Sequence, residues 1–147
     1  MFRNRNRRRR SMKIIGYRFL QILWGLPQTL LGFAVFLRFC KEPRHRFHGA
    51  VVTEWKKQTG LSLGLFIFVP AGEKGKDFLA HEYGHTIQSL LLGPLYLLVI
   101  GLPSVVWCNF PWCVTLRRKR RIPYRWFYTE RWADRLGEKM EGNSVHL

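Results

Sequence analysis

The chain has 147 residues, the length of one folded domain, and 47% of them are hydrophobic. That apolar content supplies a sizeable core and excludes intrinsic disorder. The 25 lysines and arginines outnumber 9 acidic residues, which gives a formal net charge of +16 and predicts a polyanionic neighbour, either nucleic acid or an anionic bilayer. The three cysteines are too few for a disulfide framework and indicate a reducing compartment.

Residues 1–13 form an arginine-rich basic arm, and residues 14–37 are mostly apolar. About 20 apolar residues are enough to cross a bilayer as a helix, so this stretch is a candidate membrane segment. Pro27 lies near its middle and permits either a kinked span or a re-entrant hairpin. The alternative is a secretory signal peptide, but the apolar region is too long for one and no small-residue cleavage site follows it.

Residues 48–70 change to the pattern of β-strands. The run Ala50–Trp55 predicts one short strand and residues 56–60 a turn, and residues 61–69 begin with apolar side chains at every second position. We therefore predict a small antiparallel sheet. A charged loop follows it and leads into the next helix.

Two helices and a second apolar stretch complete the chain. The pattern predicts a helix over 77–92, with Asp77 as its cap and Gly93-Pro94 as its stop. Residues 95–116 are apolar and are broken at Pro103 and again at 109–111. A last helix is predicted over 123–141, after a basic block at 117–121.

The first predicted helix carries the pattern His-Glu-Tyr-Gly-His at 81–85. Residues four apart lie on one helix face with Cβ atoms roughly 5–6 Å apart, so His81 and His85 can both reach one Zn²⁺. Glu82 can then hold a water at the open position of the metal and act as general base. The alternative is an amphipathic helix in which both histidines are satisfied by ordinary hydrogen bonds.

A metal site needs a third protein ligand, and the last helix offers Glu130 and Asp134 on one face. Glu130 is a candidate ligand, and Asp134 can accept the outer ring N–H of a zinc-binding histidine. Chemistry alone also allows Asp134 or His146 as the third ligand. The alternative for this helix is a surface element with ordinary charges.

The runs at 81–85 and at 130–134 resemble the His-Glu-x-x-His and Glu-x-x-Ala-Asp signature of gluzincin membrane metallopeptidases. They are most similar to the CAAX prenyl endopeptidases, the heat-shock membrane peptidase X group and the compact soluble minigluzincins. The resemblance implies an α+β fold in which a small sheet precedes the metal helix and a glutamate helix follows. It implies one Zn²⁺ per chain on His81, His85 and Glu130, with Glu82 as base and Asp134 beside the ligands.

The position of these motifs constrains the membrane topology. The two histidines precede the apolar stretch 95–116 and Glu130 follows it, so a single crossing would place them a bilayer apart, roughly 30 Å. We therefore predict that this stretch dips into the membrane and returns. Basic residues flank both apolar stretches, which favours a cell-membrane location with the site facing the cytoplasm.

The sequence thus predicts a membrane-associated zinc metallopeptidase that acts on a peptide or protein substrate and contacts anionic lipids. The strand at 61–69 could present an edge to the substrate, and Tyr128, Arg131 or His146 could stabilise an oxyanion. The alternatives are a non-catalytic basic membrane-binding protein and a degenerate zinc-site scaffold. Nucleic acid is the less favoured partner, because apolar stretches lie beside the basic blocks.

Overall fold

A computed structural model describes residues 2–142 of the chain. The described residues form an α+β fold, which confirms the predicted class. Its α-helices are α1 (Phe2–Leu23), α2 (Leu26–Arg38), α3 (Glu73–Leu92), α4 (Leu102–Asn109), α5 (Pro111–Arg120) and α6 (Tyr128–Gly142). Its strands are β1 (Arg44–Phe47), β2 (Ala50–Trp55), β3 (Leu61–Leu63) and β4 (Phe66–Pro70). Short helical turns lie at Gly93–Leu95, Leu97–Gly101 and Tyr124–Trp126.

The sheet is mixed, so the prediction of an antiparallel sheet was wrong. Its strand order is β1-β2-β4-β3, and β2 and β4 run parallel while both outer pairs are antiparallel. The reason is Gly64, whose positive φ of 59° makes a tight turn inside the predicted strand 61–69. That turn divides the strand into β3 and β4, and β4 then lies beside β2.

Strand β4 is buried on both faces, because helices cover each side of the sheet. On one face Val52 and Ile67 pack against Tyr83 of α3. On the other face Phe66 and Phe68 pack against aromatic and aliphatic side chains of α2. A strand covered on both sides has the continuous apolar sequence that β4 shows, instead of alternation.

Helix α3 begins at Glu73, four residues before the predicted cap Asp77, which therefore lies inside the helix. The early start is possible because Gly75 has no Cβ, which would otherwise collide with the carbonyl oxygen of Pro70 at the end of β4. The helix ends at Leu92, directly before the predicted stop. Only Ala71 and Gly72 thus separate β4 from α3, and this short connection restricts the position of α3 on the sheet.

Helix α6 begins at Tyr128, five residues after the predicted start at 123. Pro123 and Phe127 have extended backbones, and only a single 3₁₀ turn lies between them. Helix α5 ends at Arg120 and is followed by a left-handed residue, Arg121, which caps it.

The described residues contain two bent helix pairs: the first covers the apolar stretch 14–37, and the second joins α3 to the first part of the apolar stretch 95–116. The axes of the segments Ser11–Leu23 and Leu26–Arg38 differ by 96°, and those of Phe78–Leu95 and Leu97–Asn109 by 118°. Among the described residues no single helix is both long and apolar enough to cross a membrane, although each bent pair satisfies these criteria jointly. The membrane placement therefore stays a prediction.

A buried hydrogen-bond network joins the two bends. The side chain of Gln28 donates to the Ser89 hydroxyl at 2.8 Å and to the carbonyl of Gly93 at 2.9 Å. Gln21 donates to the carbonyl of Thr86 at 2.8 Å and accepts from Ser89 at 3.0 Å. These bonds attach the α1–α2 pair to the end of α3, so the first apolar stretch lies next to the point where the second begins.

Candidate metal centre

The site forms where α3 and α6 pack with their backbones in contact. A Cβ added at Gly84 would collide with the carbonyl oxygen of Ala133, and one added at Gly137 with the carbonyl oxygen of Ala80. Two glycines, one on each helix, thus permit a close approach that larger side chains would prevent. This approach brings the histidine face of α3 against the carboxylate face of α6.

The three predicted ligands meet in this contact. The Nε2 atom of His81 lies 3.1 Å from Oε2 of Glu130, and the Nε2 atom of His85 lies 3.5 Å from the same oxygen. One ligand atom from each residue lies within 4.8 Å of the other two, and all three residues are at most 6% exposed. Ligands about 2.1 Å from a tetrahedral ion lie roughly 3.4 Å from one another, so the cluster could hold a metal ion.

The outer nitrogen of His81 is held by a carboxylate. Its Nδ1 atom lies 2.7 Å from Oδ1 of Asp134, and the same oxygen accepts a hydrogen bond from Arg125 at 3.0 Å. An ionised carboxylate can only accept, so Nδ1 of His81 carries the proton in this contact. Asp134 is therefore placed behind a ligand and not among the three ligand atoms, and it orients the imidazole towards Glu130.

The outer nitrogen of His85 is held by an amide, which the sequence analysis did not identify. The Nδ1 atom of His85 lies 2.7 Å from Oε1 of Gln88. The Nε2 group of Gln88 donates to the carbonyl of Thr129 at 2.8 Å, so its oxygen must face His85. Both imidazoles thus direct Nε2 towards the same carboxylate oxygen.

The two oxygens of Glu130 have different partners. Oε1 accepts hydrogen bonds from Ser104 at 2.6 Å and from Thr129 at 2.9 Å, whereas Oε2 faces the histidines. Burial alone would raise the pKa of Glu130, but the hydrogen bonds from His81 and His85 outweigh it and hold the pKa well below its usual range. Glu130 is therefore an ionised carboxylate with one oxygen directed at the cluster.

The His81 imidazole responds to the same contacts in the opposite direction. Burial alone would lower its pKa, but the hydrogen bonds to Glu130 and Asp134 and the charge of Glu82 outweigh burial and raise it. The cluster therefore combines buried basic and acidic groups that stabilise each other's charge.

Glu82 lies beside the cluster and outside the set of three converging ligand atoms. Its Oε2 atom accepts a hydrogen bond from the Ser62 hydroxyl at 2.7 Å, and its carboxylate lies directly against the backbone of Gly60, where a Cβ would not fit. Ser62 belongs to β3, one of the two edge strands of the sheet, and its carbonyl accepts a hydrogen bond from the Tyr96 hydroxyl at 3.2 Å. Glu82 is 5% exposed and is therefore held between α3 and the edge strand β3.

The three residues considered for oxyanion stabilisation are placed differently. Tyr128 donates its hydroxyl to the carbonyl of Val99 at 2.5 Å, and Arg131 has an exposed side chain. His146, which was a candidate both for oxyanion stabilisation and for metal binding, lies outside the described residues.

Tyr124, which the sequence analysis did not select, has its hydroxyl 3.4 Å from that of Ser104. Burial, and then the negative charge of Glu130, raises the pKa of Tyr124, so this phenol remains a neutral donor at neutral pH. It therefore offers an O–H group close to Glu130.

The missed residues differ in how visible they are in the sequence. Gln88 lies three positions after His85, and helical spacing places it on the same face, so it could have been selected. Ser104 lies in an apolar stretch 26 positions before Glu130, and no local pattern relates the two.

Comparison with models of known protein families, with curated proteins and with solved structures gives no match to this chain.

Proposed function

We propose that the protein is a membrane-associated zinc metallopeptidase with one Zn²⁺ per chain. The observation that carries the proposal is the convergence of two imidazole nitrogens and one carboxylate oxygen from His81, His85 and Glu130. Three protein ligands of this kind are typical of catalytic zinc sites, where the fourth position is left for water or substrate. The resemblance of both motifs to those of gluzincins supports the same assignment.

In this proposal each residue of the site has a separate task. Bound Zn²⁺ supplies a Lewis acid that polarises a peptide carbonyl and makes a water more acidic. The carboxylate of Glu82 accepts the proton of the attacking water and delivers it to the leaving nitrogen. Ser62 and the backbone of Gly60 hold that carboxylate in place, and Tyr124 offers an O–H group near the ligand Glu130.

The exposed apolar surface supports membrane association. Large apolar side chains of both bent helix pairs are exposed, among them Phe19, Leu23, Leu30, Leu98, Leu102 and Val105. Such an extent of exposed apolar surface marks a membrane or protein contact. The arginine-rich segments beside this surface favour contact with anionic lipid headgroups. Basic residues on both sides of each apolar stretch favour a site on the cytoplasmic side of the cell membrane.

The first test is the metal content of the purified protein in a non-ionic detergent. We expect about one Zn²⁺ per chain in the wild type and a sharp loss in Glu130→Gln, because the amide is a much poorer ligand than an ionised carboxylate. Glu138→Gln is the matched control, since Glu138 lies on the same helix with an exposed side chain. A wild type without metal, or zinc content that is independent of Glu130, would contradict the proposed ligand set.

The second test separates catalysis from metal binding. Glu82→Gln should retain zinc and lose hydrolysis of fluorescein-labelled casein by at least about a hundredfold, because general base catalysis contributes roughly 10²–10⁴-fold. Glu54→Gln on β2 is the control. Unchanged casein cleavage by Glu82→Gln would remove Glu82 from the role of base.

A structural zinc site is the second candidate, and the deep burial of the ligands favours it. Structural sites are closed and contribute directly to folding, whereas catalytic sites remain open to substrate. Removal of the metal with a chelator distinguishes the two. Loss of casein cleavage with an unchanged circular dichroism spectrum supports the peptidase. Unfolding on addition of the chelator, in a protein that did not cleave casein beforehand, supports the structural site.

A further inference from the structure

An open concavity of about 320 Å³ lies at the start of α6 and is separate from the metal cluster. It is lined by Trp126, Tyr128, Arg131, Trp132 and Arg135. Three aromatic rings and two guanidinium groups line this concavity, and no acidic side chain does. We refer to these five residues as the aromatic–arginine pocket.

The two arginines of the pocket are not neutralised. Arg131 and Arg135 are four positions apart on α6, so their side chains lie on one face of the helix. Among the side chains that the structure describes, no acidic one forms an ion pair with either arginine. Arg125, by contrast, is paired with Asp134 at 3.0 Å. The pocket therefore holds two adjacent positive charges without an acidic partner among the described side chains.

The pocket lies at the border of the exposed apolar surface. The hydroxyl of Tyr128 donates to the carbonyl of Val99, which belongs to the helical turn Leu97–Gly101 of the second apolar stretch. The neighbouring side chains Leu98 and Leu102 are 65% and 57% exposed. Trp126 is 66% exposed at the pocket itself, although an indole of that size is normally covered in a soluble protein.

We propose that the aromatic–arginine pocket binds the phosphate-bearing headgroup of an anionic phospholipid. A guanidinium fork matches the geometry of a phosphate and forms charge-assisted hydrogen bonds with it. Tryptophan and tyrosine rings are favoured at the level of the headgroups, where one side is apolar and the other is wet. This inference rests on the membrane association in the proposed function, and it is independent of the assignment as a peptidase.

Placement favours a lipid over a free anion as the source of the phosphate. A pocket for a soluble anion needs only the charges, whereas here the charges adjoin exposed leucines that would contact the acyl chains of the same lipid. The face of α6 that carries the pocket is also not the face that carries Glu130, because successive residues differ by about 100° around a helix. Occupation of the pocket therefore does not require access to the metal cluster.

The test measures binding of dihexanoyl phosphatidylglycerol to the full chain in non-ionic detergent by isothermal titration calorimetry. We expect saturable binding to the wild type and at least about tenfold weaker binding to the double variant Arg131→Gln, Arg135→Gln, because both guanidinium groups lose their charge-assisted hydrogen bonds to the phosphate. The control Arg46→Gln, Lys56→Gln also removes two positive charges, but on β1 and directly after β2, away from the pocket. It should bind nearly as tightly as the wild type.

Three further results would overturn the proposal. Equal weakening in both double variants would indicate general attraction of a basic protein, and equal binding of dihexanoyl phosphatidylcholine would exclude recognition of the anionic headgroup. Inorganic phosphate that binds as tightly as the lipid would identify a free-anion site. Zinc content is measured on the same samples. Zinc without lipid binding would contradict only the lipid site, and lipid binding without zinc would contradict only the proposed metal site.

Discussion

At the scale of single residues, the candidate metal site depends on the different partners of the two carboxylate oxygens of Glu130. One oxygen accepts from Ser104 and Thr129, and the other faces both histidines. A carboxylate without the two hydroxyl contacts could rotate and exchange its oxygens. The hydroxyls therefore fix which lone pairs are offered to a metal, and Ser104 contributes from outside both site helices.

Removal of the Ser104 hydroxyl should weaken metal binding without removing a ligand. We expect Ser104→Ala to raise the dissociation constant for zinc about tenfold, since partners of metal ligands typically contribute 10–100-fold in affinity. The constant is measured by competition with a chromophoric chelator. Ser104→Thr restores a hydroxyl and should recover most of the affinity, which a purely packing role of Ser104 would not predict. An unchanged constant in Ser104→Ala would contradict a positioning role.

The sequence allowed the ligand residues to be selected but not their supports. His81 and His85 are related by one helical turn, and so are Glu130 and Asp134, so local spacing predicts both pairs. That the pairs would meet rested on the resemblance to gluzincins. Ser104 supports Glu130 from a distant apolar segment. Such partners depend on tertiary packing, which periodicity in one segment does not encode.

At the scale of elements, the crossing of α3 and α6 forms the site, and two glycines make it possible. The carbonyl oxygens of Ala133 and Ala80 occupy the space that a side chain at Gly84 or Gly137 would need. The polar side chains His81, His85 and Glu130 meet in the common interface of the two helices. Added side-chain volume in this interface would therefore separate the two helices and, with them, the candidate ligand residues.

An added methyl group at this crossing should destabilise the fold and the metal site together. We expect Gly84→Ala to lower the free energy of unfolding by about 1–3 kcal/mol, because overpacking displaces the two backbones. The thermal midpoint by circular dichroism in detergent should fall by roughly 4 °C or more, with loss of zinc.

The matched control for this prediction is Gly16→Ala in α1, where a Cβ would have no heavy atom within 4 Å. That change should be neutral or stabilise by roughly 0.5–1 kcal/mol, because alanine favours helix more than glycine does. Equal midpoints for Gly84→Ala and the wild type would show that the helices can separate without consequence.

The elements themselves were predictable to different degrees. The strand Ala50–Trp55 and the end of α3 follow from local patterns of apolar side chains and from Gly93-Pro94. Strand β1 was missed because its sequence, Arg-His-Arg-Phe, is polar, as suits an exposed edge strand. The parallel pairing of β2 and β4 was missed because the turn at Gly64 was not predicted. Within an apolar run, only the glycine itself indicates such a turn.

At the scale of the whole molecule, the two bent helix pairs present a broad apolar surface on a strongly basic protein. The buried network of Gln21, Gln28 and Ser89 joins the bends, so the two pairs form one unit. Gln21, Ser89 and the side-chain nitrogen of Gln28 are hydrogen-bonded within the protein, whereas the buried side-chain oxygen of Gln28 has no partner among the described residues. The large apolar side chains around this network are exposed. Exposed apolar side chains around an internal polar network are what the proposed membrane insertion requires.

Charges placed on this surface should abolish membrane association and leave the metal site intact. We expect Leu98→Glu, Leu102→Glu to reduce co-sedimentation with phosphatidylglycerol-containing vesicles at least about tenfold, because a carboxylate in the apolar region costs up to about 2.5–3.5 kcal/mol. Zinc content should stay near that of the wild type.

The control for this prediction is Thr59→Glu, Ala71→Glu, which adds the same charge at two exposed positions beside the sheet. It should associate with vesicles almost as well as the wild type. Equal loss in both variants would mean that net charge governs association, and no loss in either would show that this apolar surface does not enter the membrane.

The split of the ligand set between two helices has a further consequence for timing. His81 precedes Glu130 by 49 residues, so during synthesis the histidines leave the ribosome first. At roughly 5–20 residues per second the glutamate follows on the order of several seconds later. Throughout that interval the nascent chain lacks one metal ligand. Because of this order, the candidate metal cluster stays incomplete until the last helix has been translated and has docked.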